Sequence, residues 1–316
     1  MNYIIRKIIT LILTLLLISA MTFGAFSVIP GDASVSRLGT EATQEQIDAL
    51  RAEMGLDRPV TERYISWVRG AVHGDFGESL RYSGTTVREL LSDRLTATVL
   101  LAVIALAMMF VFSVPLALLS VHFKNHWQDT LISQLVQLAM AVPSFFLGIL
   151  LTYFFGIALK LFQPGKFVAP SEDFLGAVRY LVFPAMAIAL PKGAMVTRFI
   201  RNAVLGEMKK DYVRTARSKG SSRDRILYRH VLRNALIPVI TFAAMIAAQI
   251  LAGSIVVEQV FSVPGVGRLL VSSISSRDYP VVQAIVIYIT AIVVIMNFAI
   301  DLIYQLADPR VKGDQG

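Results

Sequence analysis

Long apolar runs, all but one without formal charge, alternate along this chain with shorter polar segments. About 20 apolar residues bridge a ~30 Å hydrocarbon core. Six runs reach that length: Ile8–Ile29, Leu95–Leu119, Thr130–Leu159, Tyr180–Ile200, Ala235–Val257 and Tyr279–Ile300. The first follows Arg6 and Lys7 and exceeds the ~7–15 apolar residues of a cleaved leader. Ser27-Val28-Ile29-Pro30 is no small-residue cleavage site, so the run reads as a retained helix. Pro143 is expected to kink the third span, with neighbouring helices satisfying the freed carbonyl. The fourth is the least apolar, because Lys192 and Arg198 lie in its second half.

Six spans put both termini on one side, and loop charge says which. With the N-terminus inside, the inner segments hold seventeen Lys and Arg and the short outer loops hold five. Both termini are therefore expected in the cytoplasm. The chain divides into residues 1–29, an N-terminus and first span; 30–94, an extracytoplasmic segment; and 95–316, a core with the other five spans.

The outer segment carries helix signals. Thr43 and Gln46 have capping-box spacing, Ile47, Leu50 and Met54 form a stripe, Gly55 closes the helix and Pro59 stops it. A second helix is expected over Thr61–Val72, with Tyr64, Ile65, Val68 and Val72 on one face. Thr86 and Glu89 would cap a third, short helix leading into the second span. Such short stripes need something to pack on. A solvated helical cap and a docking surface for a soluble protein both satisfy that need.

Composition narrows the class. Of 316 residues 55% are hydrophobic and 16% charged, against roughly 25% charged in soluble domains. Mean hydropathy is +0.63. Soluble-enzyme, disordered and collagen-like classes fall away, leaving an all-α polytopic membrane protein. The absence of cysteine excludes disulfides, thiolate metal sites and a cysteine nucleophile. The net charge of +8 is concentrated, since Lys192–Arg233 alone carries +9.

That basic stretch is too polar to span and too patterned for a linker. Asp211–Gly220 reads as a short helix ended by glycine, and Ser222 can cap a second helix through Leu232. Between them Gly220 is expected at positive φ. Charge lying on anionic headgroups is one reading. A knob that seats in a partner is the other, and Ala216 with Gly220 leaves room for close approach. No nucleic-acid-binding module accompanies the charge, so nucleic acid is not expected as a partner.

The run Asp211-Tyr-Val-Arg-Thr-Ala-Arg-Ser-Lys-Gly220, followed by His230-Val-Leu-Arg-Asn-Ala-Leu-Ile-Pro238, resembles the cytoplasmic coupling loop of binding-protein-dependent ABC importer permeases. It is most similar to the first permease of the oligopeptide/dipeptide/nickel branch. Further matching pieces cover almost the whole chain: Pro30-Gly31-Asp32, Gly74-Asp75-Phe76-Gly77, Glu258-x-x-Phe261-x-x-Pro264-Gly265-Val266-Gly267, Asp278-Tyr279-Pro280 and Asp308-Pro309-Arg310. One departure concerns the wider pattern Glu-Ala-Ala-x3-Gly-x9-Ile-x-Leu-Pro. Its first position is Arg214 here, its later positions fall on His230, Leu232 and Arg233, and proline appears only at Pro238.

The resemblance implies a type I ABC importer permease fold in a bacterial inner membrane, carrying peptides. Nickel chelates, glutathione and other small solutes stay open as cargo. It implies a second permease, two ATPase subunits, an extracytoplasmic substrate-binding protein and surrounding membrane lipid as partners. ATPase coupling would fall to Asp211, Tyr212, Arg214, Thr215, Ala216, Lys219, Gly220, Arg229, His230, Arg233 and Asn234, in a loop spanning about 201–234. No phosphate-cradling G-x-x-x-x-G-K-[ST] occurs, so no cofactor is expected on this chain, with ATP and Mg on the ATPases.

Two rival classes remain. A membrane enzyme would need a nucleophile–base pair or metal ligands at membrane depth, and none of the four histidines lies in a span. An ion-coupled carrier would place acids within spans, whereas Glu258 and Asp301 sit at span ends. Gln134, Gln137, Gln249, Ser254 and Asn297 are the candidate path-lining residues, with interhelical hydrogen bonding as their alternative role.

Overall fold

The computed structural model describes residues 3–28, 34, 42–53 and 55–307. Pro30-Gly31-Asp32 and Asp308-Pro309-Arg310 lie outside the described residues, as does Met54. Twelve helices are named here among those described: α1 Tyr3–Val28, α2 Gln44–Glu53, α3 Val60–Val72, α4 Val87–His122, α5 Trp127–Ala141, α6 Ser144–Leu151, α7 Phe174–Glu207, α8 Asp211–Ser218, α9 Leu232–Gly253, α10 Ile255–Val260, α11 Val266–Ser275 and α12 Tyr279–Ala307. π-Helical stretches extend α6 over Thr152–Ala158 and precede α9 over Ile226–Val231. Among the described residues four helices are long and apolar enough to cross a membrane, and the number is six when each of two bent helix pairs is counted as one span.

Proline accounts for the bends. Pro143 does more than kink its span: α5 and the helix after it meet at 97°. Val142 is driven to extended φ −84° and ψ 121° by the ring that follows, ending α5, and Pro143 then opens α6 as its N-cap. Pro238 bends the next pair by 53°. Pro184 and Pro191 are buried within α7, which remains one helix of 34 residues.

The residues divide into two compact units. The first comprises residues up to Thr98 and Pro264–Ile295. Its core is Val87, Leu91, Val266, Leu269, Val281, Ala284 and Ile285, flanked by Phe76, Leu95 and Tyr288. The outer segment thus shares a core with α11 and α12. The Thr43–Gln46 box forms as expected, with Thr43 N donating to Gln46 Oε1 at 3.0 Å and Gln46 N to Thr43 Oγ1 at 3.4 Å. Gly55 closes α2 at φ +63°.

Three expectations change in this unit. Thr86 and Glu89 exchange the same reciprocal bonds, but they open α4 itself, one continuous helix of 36 residues. Pro59 is the N-cap of α3 as well as a stop after α2. The face of α3 that packs is Tyr64 and Trp67 on Phe23 of α1, while Ile65 and Val72 are exposed. Tyr64 wins the contact because its hydroxyl lies 2.7 Å from Ser19 Oγ and donates to the Leu16 carbonyl. The Asp278 carboxylate, fully buried, accepts from Leu80 N at 3.0 Å and from the Ser79 hydroxyl. That fixes the turn 79–81 to the start of α12.

The second unit comprises Val99–Val263 and residues from Met296. Here α7 is the central helix, packed against α5, α6 and α9. Phe199 stacks on Phe242 with centroids 4.2 Å apart. The Glu258–Phe261 motif forms a tight buried turn, in which Val263 N donates to the Glu258 carbonyl and Tyr180 donates its hydroxyl to the Phe261 carbonyl. Gly148 admits the Phe261 ring, since a Cβ there would lie 3.1 Å from Cε2.

Candidate coupling site

The basic segment folds as a helical hairpin on the end of α7. After Glu207 the backbone turns through Lys210, extended at φ −73° and ψ 155°, into α8. This helix has one buried residue, Val213, and it packs against the π-helical stretch, whose Ile226, Leu227 and Val231 are also buried. Four apolar side chains therefore form the underside of the hairpin. Burying each stabilises the fold by roughly 1.5–3 kcal/mol before the entropy of ordering is set against it.

Gly220 ends α8 in the left-handed region at φ +79°. Ser221 N donates to the Ala216 carbonyl at 3.2 Å and Gly220 N to Arg217 at 3.0 Å. These two bonds are a Schellman motif, which needs αL geometry at this position. Ser222 Oγ then accepts from Arg225 N at 3.4 Å. The helix it opens does not stop at Leu232. It passes through the π stretch directly into α9, so the second half of the loop runs without a break into the helix of the fifth span, which bends by 53° at Pro238.

A polar tie closes the hairpin's base. Tyr212 donates its hydroxyl to Glu207 Oε2 at 2.8 Å, and Lys210 pairs with the other carboxylate oxygen. The Asn234 side chain also bonds Tyr212, so the end of α7, α8 and the start of α9 meet at one phenol. Burial raises the Tyr212 pKa above the ordinary phenol value, with Glu207 acting in the same direction, and the tie holds its proton at neutral pH. Glu207 and Lys210 were not singled out in the sequence, although their i,i+3 spacing was a signal.

The upper surface is open. Asp211, Arg214, Thr215, Lys219, Gly220, Arg229, His230, Arg233 and Asn234 are exposed, with Tyr212 and Ala216 half-buried. Arg214 makes only a 3.6 Å exposed contact with Asp211, the kind of pair that contributes little. His122 reaches Asp224 at 3.6 Å. The hairpin thus has an apolar underside, a tied base and an exposed cationic top.

A second cluster anchors α7 before the hairpin. Arg201 grips Asp129 in bidentate fashion, Nε to Oδ1 at 3.1 Å and Nη2 to Oδ2 at 2.9 Å, and also donates to Ser120 Oγ at 2.8 Å. Ser120 donates to Asp129 at 2.5 Å. The cluster joins α4, α5 and α7. Arg201 lies 72 residues from Asp129 and 81 from Ser120, so no local sequence pattern signals the cluster.

The path-lining candidates separate. Gln134, Gln137, Gln249 and Asn297 are exposed on this chain. Gln137 borders a cleft of about 260 Å³ with Ser133, Thr197, Arg201 and Asn202. Ser254 is 3% exposed and donates to Glu258 Oε1 at 2.8 Å, the hydrogen-bonding alternative expected for it.

Residues 110–313 match the family described as binding-protein-dependent transport system inner membrane component. Residues 1–102 match the N-terminal part of the same membrane component. The chain belongs to this permease family. Relatives extend over its whole length. A putative peptide transport system permease protein of Brucella abortus is 35% identical, with 98% of this chain and 99% of that protein covered. The oligopeptide transport system permease protein AppB of Bacillus subtilis is 34% identical over 98% of this chain and 99% of its own length. A probable peptide ABC transporter permease protein of Sinorhizobium fredii is 30% identical, with 98% and 99% covered. The chain is therefore a multi-pass inner-membrane permease component of an ABC importer, and the hairpin lies in the segment that the family match includes.

Proposed function

We propose that this permease carries peptides, and that the hairpin is where ATPase subunits act on it. Peptide cargo is supported by relatives aligned end to end that are named as peptide or oligopeptide transport permeases. The coupling role rests on one structural observation: α8 is tied to both α7 and α9 through Tyr212, Glu207 and Asn234. A force on the exposed top therefore reaches two long helices at once, the rigid-body mode that packed helices support. Arg214, Lys219, Arg229 and Arg233 supply the cationic face for an acidic cleft.

In the assembled importer two ATPase subunits bind ATP and Mg and this chain holds no cofactor. A second permease completes the path, and a binding protein delivers cargo from outside. Both termini and the hairpin are cytoplasmic, following the charge asymmetry. Reconstitution with these partners tests the proposal. The expected result is ATP-dependent accumulation of a labelled short peptide that requires the binding protein. Uptake driven by a proton or sodium gradient without ATP would overturn it.

A further inference from the structure

The spans contain one lysine whose position demands an explanation. Lys192 lies inside α7, and its ammonium donates to Gln249 Oε1 of α9 at 2.7 Å. The hairpin joins these two helices, so depth can be counted along each from the hairpin-side end of its apolar run, Ile200 and Ala235. At ~1.5 Å per residue, Lys192 lies about 12 Å from Ile200 and Gln249 about 21 Å from Ala235. Side chains tilt toward the N-terminus of their own helix. For Lys192 that is away from the hairpin, and for Gln249 toward it, so the two meet near the middle of the membrane.

A charge there is expensive in hydrocarbon unless it is paired or wet. Among the described residues no carboxylate pairs with Lys192; its hydrogen-bond partner is a neutral amide. Lys192 is only half-buried and Gln249 is exposed. An exposed amide holding an unneutralised ammonium at mid-depth fits neither lipid nor a dry helix seam. It fits a water-filled passage.

We propose that Lys192, held out by Gln249, is a cargo-contacting site of the translocation path that meets carboxylates, chiefly the C-terminal carboxylate of a peptide in transit. The assignment rests on the peptide-importer reading. Gln249 suits the task because a neutral acceptor orients the ammonium without cancelling its charge. An arriving carboxylate makes the stronger, charge-assisted bond and the amide takes the lysine back when cargo leaves. Such a contact is transient, as a path must be.

The test uses the complete reconstituted complex. This chain has no cysteine, so Gln249→Cys introduces a single thiol into it, whose modification is read by mass spectrometry of this chain. An anionic sulfonate thiol reagent and a cationic trimethylammonium reagent are compared from water. The expected result is labelling by both, with the anionic reagent favoured about tenfold, as one unit charge acting over a few ångströms of partly wet interior gives. Adding Lys192→Gln should abolish the preference. A peptide with a free C-terminus should slow labelling, and its C-terminal amide should not. Absence of labelling from water, or equal rates with Lys192 present, would overturn the proposal. Equal protection by the amide would overturn the carboxylate assignment. Wild-type uptake of the same peptide is measured in parallel. If that uptake is absent the peptide reading fails, whereas intact uptake without charge preference at Gln249→Cys sinks the site alone.

Discussion

Removing Arg201 should destabilise this permease far more than any other single charge near the hairpin. Asp129 is 7% exposed and accepts two guanidinium bonds, a serine hydroxyl and Asn125 N. Breaking a buried pair by deleting one partner costs ~3–5 kcal/mol, because the surviving charge stays buried without its partner. The Arg201 side chain is 26% exposed, so solvent screens part of that and about 2–3 kcal/mol is expected for Arg201→Met. Asp129→Leu alone should cost a similar amount. The double variant should recover most of it, since two apolar groups of similar volume leave no orphan charge. Thermal unfolding of the purified permease, followed as a double-mutant cycle, measures the coupling. Two single-variant losses that add in the double variant would show that the clamp is incidental and that packing alone holds α5 to α7.

Two further outcomes follow from the geometry. Tyr212→Phe removes the hydroxyl that joins α7, α8 and α9, at a cost of ~1 kcal/mol. Amide exchange over residues 211–220 should then rise about fivefold while that of α7 stays unchanged; uniform exchange across both would refute the tie. Single cysteines at Glu45 and Glu78 should react with an impermeant reagent from outside intact cells, and reaction only after lysis would reverse the assigned orientation.

Local signals were legible in the sequence wherever one stretch of chain settles its own geometry. Both reciprocal caps, Thr43 with Gln46 and Thr86 with Glu89, form as their spacing implies. Gly220 takes the positive φ that its place between two polar helices required. Four of the six apolar runs appear as long helices, and the other two as bent pairs. What escaped is set by groups distant in sequence. Hydrophobic pattern could not give the 97° break at Pro143, since a kinked helix and two separate helices share one composition. It could not choose Tyr64 and Trp67 over Ile65 and Val72, because a phenol with a partner on α1 outranks bare apolar area. Lys192 looked like a blemish in the fourth span until its bond to Gln249, 57 residues away, gave it a place.

The coupling role turns on Gly220. It closes α8 at φ +79°, and a Cβ there would meet nothing within 4 Å. The penalty for Gly220→Val is therefore conformational, ~1–2 kcal/mol for leaving or straining the αL turn, with no clash to relieve. Gly220→Asn, which tolerates αL, serves as the control. Substrate-stimulated ATPase activity in the reconstituted complex is the direct measurement. Gly220→Val should insert and pair with the second permease yet lose most of the stimulation and uptake, while Gly220→Asn retains most of both. Normal stimulation and normal uptake by Gly220→Val would contradict the coupling role and leave the basic hairpin as a topology signal resting on lipid.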